Sequence, residues 1–105
     1  MALQKAIRGS RFRGQSITWS YEDGTSPDLS SATLTGRKRN LATNLVTDIT
    51  GTLEVDEAIS HRFSWTYSAA DVGVAGTFEI QFSAMYPDTR EDKTYIAYWE
   101  VLDSL

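Results

Sequence analysis

Residues Phe63-Ser64-Trp65-Thr66-Tyr67-Ser68-Ala69-Ala70-Asp71-Val72-Gly73-Val74-Ala75-Gly76-Thr77-Phe78-Glu79-Ile80-Gln81-Phe82 decide the fold. Both flanks, 63–67 and 77–82, alternate large apolar with polar side chains, the pattern of strands that bury one face. Between them Ser68 is followed three residues later by Asp71, a spacing that caps a short helical turn, and Gly73 and Gly76 release the chain into the next strand. Strand, capped turn, strand is how a β-sandwich carries its chain from one sheet to the other. Asp71 is predicted to accept hydrogen bonds from backbone amides near Ser68. Its removal is then expected to cost about 0.5–2 kcal/mol, as a lost helix-terminal cap does.

Working outward, seven segments carry a strand signal: 3–7, 16–21, 32–39, 49–55, 61–67, 77–84 and 93–102. Thr, Val, Ile and aromatic residues fill them, and turn chemistry at 22–28, 39–40 and 86–88 separates them. No window of helical length has a 3.6-residue apolar period, so only the 68–71 turn is predicted to be helical. Short strands at regular spacing argue for an all-β, antiparallel sandwich of about seven strands. Trp19, Trp65, Phe78 and Phe82 share the inward register and form its predicted structural core.

The final segment departs from one-sided burial. Tyr95, Ala97, Trp99 and Val101 form one face, but Ile96, Tyr98 and Leu102 make the opposite face apolar as well, broken only by Glu100. A strand that is apolar on both sides needs a second cover. Either the N-terminal segment with Leu3, Ile7 and Phe12 supplies it, or another subunit does. Ile96, Tyr98 and Leu102 are thus the candidate interface, with Tyr98 as its anchor.

Length and composition bound the rest. The 105 residues fit one domain, 1–105, and 23% charged with 41% apolar residues is a globular composition. The absence of cysteine excludes disulfide frameworks, thiolate metal sites and cysteine nucleophiles. The first residues lack the apolar run of a signal peptide, and no segment approaches the roughly 20 apolar residues of a membrane span. A soluble chain, made in the cytoplasm and not engaging a membrane, is expected. The net charge of −4 divides into seven bases and three acids over 1–40, and three bases and eleven acids over 41–105. Interleaved strands are expected to mix these halves into a surface of both signs; the functional reading is head-to-tail contact between copies or with a neighbour.

Residues of chemically capable types read as structural. His61 is the only histidine and opens a strand, with no oriented nucleophile or carboxylate partner evident. Glu22, Asp23 and Asp28 cluster around Gly24 in a turn without the spacing of a calcium loop. Arg37-Lys38-Arg39 reads as edge-strand charge that discourages sheet pairing, not as a nucleic-acid surface, because the chain is acidic and its aromatics point inward. No catalytic residue, metal site or cofactor is predicted.

Several stretches also occur in a telling order: Thr18-Trp19-Ser20-Tyr21-Glu22-Asp23-Gly24-Thr25, Asp28-Leu29-Ser30-Ser31-Ala32-Thr33-Leu34, Ile49-Thr50-Gly51-Thr52-Leu53-Glu54-Val55, the run 63–71, and Ala75-Gly76-Thr77-Phe78-Glu79-Ile80-Gln81-Phe82. Together, over about residues 17–101, they resemble the immunoglobulin-like β-sandwich at the N-terminus of bacteriophage upper baseplate proteins and of small related phage tail or neck proteins. Ser31 stands where that pattern usually has glycine. The resemblance implies no catalytic residue and no cofactor. It implies a virion structural protein of the tail, baseplate or neck that docks copies of itself and other phage structural proteins. The downstream receptor-binding or oligomerising region of that family does not follow the sandwich pattern here, leaving open a short stand-alone virion protein or a piece of a longer chain. The alternative is a carbohydrate- or host-surface-binding sandwich in which Tyr86, Tyr98 or Trp99 stacks on a ligand.

Overall fold

Alternation in the sequence becomes alternation in burial. In a computed structural model, which describes every residue except Met1, Ala2, Phe12, Glu22, Tyr95 and Leu105, nine strands form among the described residues. They are β1 (Ala6–Ile7), β2 (Gly14–Thr18), β3 (Thr33–Asn40), β4 (Val46–Asp48), β5 (Thr52–Val55), β6 (Arg62–Thr66), β7 (Gly76–Met85), β8 (Glu91–Lys93) and β9 (Ala97–Leu102). One sheet has the order β1-β9-β7-β3-β4, with β8 on the far end of β7; the other has the order β2-β6-β5. The two pack as a sandwich. Phe63 and Trp65 of β6 face Phe78, Ile80, Phe82 and Ala84 of β7, all buried, because successive side chains of a strand point to opposite faces.

Trp65, fully enclosed, is the centre of the core. Its ring meets Tyr67 and Phe82 edge-on, at 4.8 and 5.7 Å between centroids, and lies tilted on Trp99 at 4.6 Å. Phe78 reaches the same cluster through Trp99, and Trp19 is buried just beyond β2. Such offset and edge-to-face contacts add to the burial of each ring.

Several features differ from the sequence-based expectation. Nine strands replace about seven because β4 forms just before segment 49–55 and β8 overlaps segment 93–102 only at Lys93. The chain leaves the large sheet after β4 and joins the small one at β5, so only 52–55 of segment 49–55 is strand. Between them, Thr50 and Gly51 donate their N–H groups to the Asp71 carboxylate rather than to a neighbouring strand. Segment 93–102 breaks at Thr94, whose Oγ1 accepts the Phe82 N–H while its own N–H goes to the Phe82 carbonyl. The pairing is also not wholly antiparallel, since β1 runs parallel to β9 with Ala6 opposite Val101 and Ile7 opposite Leu102.

The predicted helical turn at 68–71 is absent. Ser68 and Asp71 do bond reciprocally, Ser68 N–H to Asp71 Oδ2 and Asp71 N–H to Ser68 Oγ, each at 3.1 Å. No helix follows, because the chain dives inward: the Asp71 side chain and Val72 are fully buried, and the Val72 carbonyl is taken by the Gly9 N–H. Only a turn remains.

The Arg37-Lys38-Arg39 run does not lie on an edge. It sits inside the large sheet, between β4 and β7. Arg37 and Arg39 point outward to Asp48 and Glu79, at 3.4 and 3.1 Å. Lys38 points inward, 3.1 Å from the carbonyls of Ala70 and Asp71 and 5.0 Å above the Phe78 ring. Burial lowers the Lys38 pKa, and the charge of Asp71 opposes that shift.

Charge separates along the molecule, which measures 43 × 26 × 24 Å. The end bearing loops 20–31, 56–62 and 85–93 holds seven acids and three bases among the described residues. The opposite end holds Arg8, Arg11, Arg13 and Lys38 against Asp71 and Asp103. The expected mixing of signs therefore occurs across the sheets but not from end to end.

Asp71→Ala is expected to cost about 3–5 kcal/mol, well above the value of a lost cap, because it strands several buried N–H donors at once. Gly51→Ala is expected to be comparably disruptive, since a Cβ there would overlap the Thr66 carbonyl and the Asp71 carboxylate. Urea denaturation of both variants beside the wild type checks this; an Asp71→Ala midpoint close to wild type would contradict the assignment.

Candidate assembly interface

The outer faces of the two sheets differ in chemistry. On the small sheet Ser16, Thr18, Thr52, Glu54 and Ser64 are exposed, an ordinary solvated surface. On the large sheet Ile96, Tyr98 and Leu102 are 50%, 58% and 39% exposed. Their positions follow from β9, whose other face supplies Ala97, Trp99 and Val101 to the core. Tyr95, expected on that inner face, lies outside the described residues.

Among the described residues, the N-terminal segment does not cover this stripe. Leu3 is buried, and its N–H bonds to the Tyr98 carbonyl at 3.0 Å. Beyond it β1 extends the sheet sideways as an edge strand. Gln15 holds the segment on β2: its Oε1 accepts from the Gln4 N–H, and its Nε2 donates to the Gln4 carbonyl and the Tyr67 hydroxyl. Ile7 therefore lies beside Leu102 on the outer face, half exposed, and lengthens the apolar stripe. Phe12 lies outside the described residues. Ile7 belonged to one of the two covers the sequence left open; the parallel register places it in the stripe instead.

Ion pairs border the stripe. Lys5 reaches Glu100 at 4.0 Å, Arg8 reaches Asp103 at 3.1 Å, and Arg39 reaches Glu79 at 3.1 Å. Glu79 lies opposite Tyr98 in the ladder and Arg39 lies opposite Glu79, so tyrosine, acid and base form one row across three strands. Beside it a shallow depression of about 230 Å³ is lined by Arg37, Arg39, Val46, Glu79, Gln81 and Ile96. An apolar centre with a charged margin is the usual anatomy of a protein–protein contact.

Other residues singled out in the sequence lie elsewhere. His61 is half-buried and lends its carbonyl to the Trp19 N–H. Asp23 bonds to the hydroxyl and N–H of Thr25, and Asp28 to those of Ser30. These contacts, the hydroxyls foremost, lower both carboxyl pKa values. Glu22 lies outside the described residues. Among the described residues no group of three or more His, Asp or Glu is placed to hold a metal, and no helix is long and apolar enough to cross a membrane. Of the tyrosine and tryptophan proposed to stack on a sugar, Trp99 is buried and Tyr86 is half-buried beneath the Arg90 guanidinium.

At the acidic end Tyr21 closes the gap between the sheets. It leaves β2 on the small sheet and donates its hydroxyl to Asp92 in β8 of the large one. That hydrogen bond, with burial second, pushes the phenol up to about 12. No sequence motif marks this contact, which joins positions 71 residues apart.

No protein-family model matches the chain, and no curated protein is similar to it in sequence.

Tyr21→Phe is expected to destabilise by about 0.5–1.5 kcal/mol, a modest value because Asp92 stays partly solvated. The phenol's pKa is higher folded, about 12, than its ordinary 10.0. Its contribution is thus complete below pH 10 and lost as pH rises toward 12. Denaturation of wild type and variant at neutral and strongly alkaline pH should show the gap between them closing at high pH.

Proposed function

We propose that this chain is a non-enzymatic structural protein of a bacteriophage virion, a tail, baseplate or neck component that acts by protein–protein assembly. One observation carries the reading: the outer face of the large sheet presents Ile7, Ile96, Tyr98 and Leu102 to solvent while the same strands complete a closed core behind them. The folded chain does not need these side chains exposed, and a second protein surface would bury them with a gain of roughly 25 cal/mol per Å² of apolar area.

Strand order supports the immunoglobulin-like part of the reading. The small sheet, β2-β6-β5, corresponds to strands B, E and D. The order β9-β7-β3-β4 corresponds to G, F, C and C′ of a variable-type sandwich. The Ser68–Asp71 turn then lies in the E–F crossover. The chain departs from antibody domains in lacking the B–F cysteine pair, and its buried tryptophans lie on β6, β9 and the end of β2 rather than on strand C. In this reading a rigid sandwich is made in the bacterial cytoplasm and built into the particle by its sheet face.

Tyr98→Asp tests the assembly. Solution mass by light scattering should fall from oligomer to monomer, with the far-UV spectrum and denaturation midpoint preserved, because Tyr98 lies outside the core. A wild type that remains monomeric at high concentration would sink the self-assembly reading.

A further inference from the structure

We infer that the partner on this face is a second copy of the same chain, packed face to face with its strands antiparallel to the first. The inference rests on the assembly reading above and adds the occupant and its orientation. The charged groups of the outer face balance one another: Lys5 with Glu100, Arg37 with Asp48, and Arg39 with Glu79. Two copies of this face therefore meet without net repulsion, although each chain carries −4 overall. A self-complementary patch of this kind suits a two-fold, isologous contact.

End-to-end polarity then selects the orientation. With strands parallel, the acidic loops of one copy would lie beside the acidic loops of the other, and like charges at close range cost energy. A two-fold axis lying in the plane between the two faces, perpendicular to the strands, instead sets the basic end of each copy, with Arg8 and Arg13, beside the other's acidic half, near Glu91 and Asp92. The apolar stripe lies toward the basic end, since Ile7 and Leu102 close it there. Such an axis, running along the Tyr98–Glu79 row, superposes the two stripes and brings unlike halves together.

Because the chain has no cysteine, orientation can be read by cross-linking. Thr77→Cys and Ser83→Cys place single thiols on the outer face of β7, toward the basic and acidic ends. The two variants are mixed with a short bis-maleimide, and the products are identified by mass. Solution mass of the wild type is measured alongside, from low to high salt, over which the Debye length falls from roughly 30 to roughly 3 Å. The expected result is a dimer that weakens at least tenfold with salt and yields mainly the mixed Thr77–Ser83 product. Same-site products, or a dimer indifferent to salt, would overturn the antiparallel arrangement and leave assembly standing. A monomer at every concentration would overturn both.

Discussion

Everything in this sandwich is tied to one buried carboxylate. Asp71 is fully enclosed, and an ion out of water is tolerable only when its oxygens are fully met. Here Oδ1 takes the Thr50 N–H, and Oδ2 takes those of Gly51, Ser68 and the Trp65 indole, all at 3.0–3.1 Å. These donors come from the strand switch between β4 and β5, from the start of the crossover, and from the core tryptophan. One side chain therefore fixes where the chain changes sheets, how it turns from β6 toward β7, and how the central ring is oriented. Lys38 completes the arrangement by holding the carbonyls of Ala70 and Asp71 from the opposite sheet.

That constraint also explains why the outer face of the large sheet is left as it is. With Trp65 set against Trp99, β9 must turn Ala97, Trp99 and Val101 inward, and period-two alternation commits Tyr98, Glu100 and Leu102 to the outside. The N-terminal segment gains more by filling the gap between the sheets with Leu3 and Ala6, clamped by Gln15, than by lying across the stripe. Its parallel pairing with β9 satisfies backbone groups that an open edge would leave exposed. The apolar exposure is thus a consequence of core register, and assembly is the reading that gives it a use.

The two ends differ in what holds them. At the basic end the Asp71 network is buried and covalently local in part, spanning 68–71 as well as 50–51. At the acidic end the Tyr21–Asp92 hydrogen bond joins the sheets, and the surrounding Asp23 and Asp28 carboxylates bond within local turns. Hydrogen bonds made by exposed turn residues carry little tertiary information, so the acidic loops are free to present their charge to a neighbour.

Much of this was legible in the residues themselves. Alternation in 63–67 and 77–82 determined the two central strands and placed Trp65, Phe78 and Phe82 inward, because a strand's period of two leaves no other face for them. The Ser68 and Asp71 spacing marked the crossover, and the double-faced final segment marked Ile96, Tyr98 and Leu102. Local pattern could not reveal what depends on distant partners. Whether Ser68–Asp71 starts a helix depended on the Thr50 and Gly51 amides drawing Asp71 inward. Where the strand of 49–55 begins depended on the same amides, and whether Lys38 faces water or the core depended on which strands flank β3. The parallel seat of β1, the exposure of Ile7 and the separation of charge into opposite ends likewise arise only when the chain is folded. Propensity and periodicity act between neighbours in sequence, whereas a buried charge, a sheet edge and a surface field are properties of groups that tertiary packing brings together.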